Sequence, residues 1–153
     1  MNKTCAFFNT HVLPALDEWE ASKTDIRLAM NLIQSLNCLV DWHWGESQGY
    51  IKLEHGISSL TDYRNMLGKE NESIQLIRDI SDAHKHFHIE RKSRVMSSTD
   101  QVNEERVGLG QALGLRLGGG DILAVTLDSS ETRYFDQIAS SAMSHWKQIL
   151  RES

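Results

Sequence analysis

The stretch Ile26-Arg27-Leu28-Ala29-Met30-Asn31-Leu32-Ile33-Gln34-Ser35-Leu36-Asn37-Cys38-Leu39-Val40-Asp41-Trp42 decides the fold class of this chain. Ile26, Met30, Ile33, Leu36 and Val40 recur at steps of three and four, and Leu28, Leu32, Leu39 and Trp42 widen the stripe. That is the period of an α-helix with one apolar face. A stripe this wide exceeds what one small bundle needs, so a homodimer is the expected state. Leu16 and Trp19 carry the pattern back to Pro14, the only proline, whose fixed φ suits the first turn of a helix. The run reads as one long helix or as two parted near residues 22–25, where Thr24 is placed to cap the second. Gly45 is a natural stop.

Further along, Tyr50, Leu53, Ile57, Leu60, Tyr63 and Leu67 keep helical spacing around Gly56. They predict two short helices or one irregular one, closed by Gly68. Asn71 or Ser73 is then positioned to cap a helix reaching about Ile89, with Ile74, Ile77, Ile80 and Phe87 inward. Residues 91–106 are polar and read as a loop. Six of the ten glycines fall between 108 and 120, a density that opposes helix and predicts a flexible connection. Residues 121–127 and 132–135 read as a β-hairpin around Asp128-Ser129-Ser130-Glu131. Ile138, Ala142, Trp146 and Ile149 return to helical spacing. The predicted architecture is a single mainly α domain: a bundle of four to five helices over about 14–90, a connection over 91–120, a hairpin over 121–135 and a last helix over 136–151.

Composition narrows function mainly by exclusion. The net charge of −5 supplies no global field to draw nucleic acid or an acidic membrane. Charge is uneven, however: Lys85, Arg91, Lys92 and Arg94 against Glu90 leave a local basic stretch. Cys5, in a predicted N-terminal tail, and Cys38, on the apolar helical pattern, lack metal-type spacing and read as reduced thiols. The apolar run at the N-terminus breaks at Asn9-Thr10-His11, too short for a signal peptide, and no window nears the roughly 20 apolar residues of a membrane span. A cytoplasmic location without a membrane partner is expected. The glycine-rich stretch has neither a Gly-Lys-Ser/Thr ending nor dinucleotide-binding spacing, and it precedes a strand rather than a helix. In Asp41-Trp42-His43-Trp44 the tryptophans read as packing anchors rather than stacking platforms for bases.

The segment Arg78-Asp79-Ile80-Ser81-Asp82-Ala83-His84-Lys85-His86-Phe87-His88 is the richest in chemistry. At about 100° per residue, Leu76, Ile80, Ala83 and Phe87 share one face, and Arg78, Asp82, Lys85 and His86 share the opposite one. Arg78, Asp82 and His86 step by four, as ion-paired neighbours on a helix do. His84 and His88 also step by four, the spacing by which two imidazoles reach one ion. Zn²⁺ or another divalent transition metal would then be completed by His43, Asp41 or His55. A solvated helix face is the third reading, and it leaves the chain a non-catalytic interaction module docking through its hairpin edge or basic stretch.

Arg78-Asp79 followed by His84 is similar to the Arg-x(4–6)-His pattern of the HEPN superfamily, including the polar residue after the arginine. These are helical-bundle domains of prokaryotic and phage defence systems, many of them metal-independent ribonucleases that work as dimers. The resemblance covers about residues 14–90. It implies that Arg78 binds phosphate and that His84 is the general acid or base. Asp79 would orient one of them, and the RNA's own 2′-hydroxyl would attack, with no cofactor required. An imidazole suits that role because its pKa lies near working pH. The same segment also resembles short bacterial proteins carrying Arg-Asp-x-x-Asp/Asn-Ala-x-Lys-His. There Lys85-His86 is the matching pair, and no activity follows from the likeness.

Overall fold

The computed structural model describes residues 2–85, 94–96, 98–107 and 120–152. Helix α1 (Lys3–Phe7) passes through a π-helical turn (Phe8–Val12) into α2 (Leu13–Ala21). Cys5 therefore lies in a helix rather than a tail. Asn2 caps that helix by accepting from the Cys5 amide at 2.6 Å, and Glu46 accepts from the amides of Lys3 and Thr4, both at 2.9 Å. Pro14 stands in the first turn of α2, as expected. It follows the π turn, which absorbs the clash its ring would make with the carbonyl four residues earlier.

Helix α3 (Ile26–His55) is the axis of the molecule. Its cap is Asp25, not Thr24: the carboxylate accepts from the amides of Arg27 and Leu28. Gly45 does not stop it, and residues 47–55 belong to it. The stop is Gly56, whose φ of 65° places it in the left-handed region open to glycine. The wide stripe is buried within the chain's own bundle: Ala29, Met30, Leu32, Ile33, Leu36, Leu39 and Val40 are all interior. Each of these side chains larger than alanine contributes about 2 kcal/mol of burial. Only the stripe's two ends stay open, Ile26 at 42% and Trp42 at 43% exposure.

Helix α4 (Leu60–Glu70), capped by Ser59, and α5 (Glu72–Lys85), capped by Asn71, pack against each other and against α3. Gly68 lies inside α4 rather than closing it. A Cβ there would come within 2.4 Å of the Gln75 side-chain oxygen, so a larger residue would push the Gln75 side chain aside where α4 meets α5. The expected extension of α5 to Ile89 lies outside the described residues.

The stretch 91–106 is not all loop. A 3₁₀ turn (Thr99–Gln101) leads into β1 (Val102–Val107), which pairs antiparallel with β2 (Gly120–Thr126), Val102 opposite Val125. Strand β3 (Thr132–Tyr134) completes the expected hairpin, giving an antiparallel sheet in the order β1-β2-β3. Leu123, Val125 and Leu127 turn into the core under α6 (Phe135–Glu152), where Phe135 meets Trp19 edge-on. No helix among the described residues is long and apolar enough to cross a membrane.

Candidate functional site

Asp79 is fully buried, and its contacts point inward. Its carboxylate accepts from the Gln75 side-chain amide at 2.9 Å, from the Val95 backbone amide at 2.6 Å and from the Met96 amide at 3.3 Å. It ties the chain just before the sheet to α5. A carboxylate held this way joins the two segments through three hydrogen bonds.

One residue earlier, Arg78 is half-buried and reaches α4, where its Nη1 donates to Asn65 Oδ1 at 2.9 Å. Its side chain lines a small cavity, about 10 Å³ or room for one water, walled by Leu36, Val40, Ile74 and Ile77. Arg64 of α4 lines the same cavity. The Arg64 side chain is only 17% exposed; its Nη2 pairs with Asp41 at 2.6 Å and its Nη1 donates to Asn37 Oδ1 at 3.3 Å. Asn37 in turn donates to the Ser81 hydroxyl at 2.9 Å, and that hydroxyl donates to Gln34 at 3.0 Å. Arg64 of α4 and Arg78 of α5 thus line one cavity. Sequence reading missed Arg64, since its only signal is adjacency to the inward Tyr63.

His84 lies elsewhere. Six residues beyond Arg78, it is displaced about 9 Å along the helix and about 120° around it. It is exposed and borders a separate groove of about 570 Å³ with Ile26, Arg27, Met30, Gln34 and Val102. Among the described residues, Arg78 and His84 line different cavities. Asp82 is half-buried and Lys85 exposed on the same helix. His86 and His88 lie outside the described residues, as does most of the basic stretch.

His43 does not join His84. It is buried, with Nδ1 2.6 Å from the Tyr63 hydroxyl and its ring edge-on to Trp146. It is nine residues from Gln34 on α3, about 13 Å along the axis from the groove that holds His84. Burial pushes the His43 pKa down and the Tyr63 pKa up, so a neutral imidazole and a protonated phenol share this hydrogen bond. Among the described residues no group of three His, Cys, Asp or Glu side chains is placed to hold a metal ion. Trp44 packs on Tyr63 as an anchor, whereas Trp42 stacks on Phe7 and stays 43% exposed.

A pH effect follows from His43. Its folded pKa lies below the unfolded value of about 6.5, so its contribution to stability is complete above that pH and is lost as pH falls toward the depressed value. Thermal melts between pH 7 and 5 should show a larger loss in the wild type than in His43→Gln; parallel losses would count against a buried neutral imidazole.

No protein-family model, curated protein or solved structure matches this chain.

Proposed function

We propose that this chain is a cytoplasmic, HEPN-like RNA-binding protein whose phosphate contact is the arginine pair Arg64 and Arg78. The placement of these two arginines, one from α4 and one from α5, along the same small cavity carries the reading. A guanidinium presents a planar fork of donors that matches phosphate oxygens, and Asn65 and Asn37 hold the two forks in place. Asp41 offsets the Arg64 charge, which suits a modest contact within an acidic protein better than a broad electrostatic grip. The resemblance of Arg78-Asp79 and His84 to the HEPN pattern supplies the choice of RNA among phosphate ligands. The separation of His84 from the arginines favours binding over cleavage by a single chain.

Fluorescence anisotropy with a single-stranded RNA in EDTA tests this. Arg78→Ala should weaken binding about tenfold, the size of one lost charge-assisted hydrogen bond. An unchanged affinity would refute the assignment. Cleavage in EDTA that disappears in both Arg78→Ala and His84→Ala would extend the reading to a metal-independent endoribonuclease; intact RNA would confine it to binding.

A further inference from the structure

The four tryptophans divide by burial. Trp19 and Trp146 are interior, and Trp44 packs over Tyr63 against the core, but Trp42 stays 43% exposed. The Trp42 indole is nonetheless held in place. It stacks on Phe7, with ring centroids 5.1 Å apart and planes 21° from parallel. Phe7 stacks in turn on His11 at 4.6 Å and 13°. A ladder of three rings therefore fixes the plane of an indole that still meets water.

Trp42 lines an open groove of about 490 Å³ together with Lys3, Asp41, Gly45 and Glu46. Gly45 stands one turn beyond Trp42 inside α3, where glycine costs about 1 kcal/mol against alanine. A Cβ there would meet nothing within 4 Å, so no neighbour among the described residues requires the glycine. What the missing side chain provides is room along the groove. Room beside a fixed, exposed aromatic plane suits a flat ring stacked on it.

Asp41 indicates which flat ring. It lines the groove and also pairs with Arg64 at 2.6 Å, so the groove and the arginine cavity adjoin through it. A strand with a phosphate on Arg64 thus brings a neighbouring base to Trp42. The carboxylates do not bar that approach. Arg64 offsets Asp41, and Glu46 accepts from the Lys3 and Thr4 amides and the Thr4 hydroxyl. Lys3, exposed at the groove, adds a cation.

We propose that Trp42 is a stacking platform for an unpaired base of a single RNA strand, seated in the groove beside Gly45. This rests on the RNA reading of Arg64 and Arg78, and it narrows the ligand to unpaired strands. Bases inside a duplex stack on one another and offer no free face.

Fluorescence anisotropy on the full chain, with an RNA single strand and the same strand made abasic, tests the proposal. The abasic strand keeps every phosphate and loses every stacking face. The wild type should bind the intact strand about tenfold more tightly, the effect of one stacked base. Trp42→Leu should erase that difference by weakening only the intact strand, and Trp42→Phe should retain most of it. Gly45→Leu should erase it too while raising the melting temperature, which a loss through misfolding would not do. Equal wild-type affinity for the two strands, with Arg78→Ala still weakening both, would overturn the stacking site and leave the phosphate contact standing. Binding to neither strand would overturn both. Adenosine monophosphate bound as tightly as the strand would assign the groove to a free nucleotide and equally overturn the proposal.

Discussion

Asp79→Ala is expected to lower the melting temperature by about 10 °C, the effect of losing about 3 kcal/mol in a domain of this size. The carboxylate is fully buried and accepts from two consecutive backbone amides, Val95 and Met96, and from Gln75. Alanine removes the acceptor while the donors stay in the protein, and an abandoned buried donor costs about 1–3 kcal/mol. Asp79→Asn keeps one acceptor oxygen, so it should cost roughly half as much. Hydrogen exchange at the Val95 and Met96 amides should quicken in both variants before the rest of the fold responds. A melting temperature within 2 °C of wild type would show that the anchor is unimportant. It would also restore Asp79 as a candidate for chemistry.

The double variant Arg64→Ala/Arg78→Ala is expected to bind RNA about a hundredfold more weakly than the wild type. Each guanidinium contributes a charge-assisted contact of at least about 1.4 kcal/mol, or a factor of ten. The two contacts add if each grips its own phosphate oxygen, and they fall short of adding if one merely positions the other. Arg64→Ala alone therefore decides between the cases. It removes the Asp41 ion pair too, but that carboxylate is half exposed and is rehydrated at little cost. Folding should change by less than the affinity does. A single-variant loss of tenfold for each residue supports two contacts; a loss confined to one assigns the other to scaffolding.

How far the chain was legible depended on where tertiary contacts override local signals. The three-and-four stepping of residues 26–40 announced α3, and the hairpin and last helix were plain from alternation and turn chemistry. Gly45 misled because a glycine on an open helix face carries no stop unless the backbone turns left-handed, as it does at Gly56. Residues 102–107 were missed because Asn103, Glu104, Glu105 and Arg106 are poor strand formers that pair by virtue of β2 alongside them. The width of the α3 stripe reflected a central helix covered on several sides. Around the site, helical geometry placed Arg78 opposite the apolar face of α5. It did not reveal that Asp79 turns inward, because a fully buried carboxylate is exceptional and its partners come from residues 95 and 96, beyond the helix. Arg64 was invisible for a related reason: its role arises only when α4 and α5 close over Leu36 and Val40.

The account rests on Arg64 and Arg78 touching RNA phosphate. The most direct measurement is the dependence of RNA affinity on potassium chloride for the wild type and the Arg64→Ala/Arg78→Ala variant. Each phosphate contact on a single strand contributes about 0.7 to the slope of log affinity against log salt. The variant's slope should therefore be shallower by about 1.4; parallel lines for the two proteins would mean that these arginines do not meet the phosphate backbone.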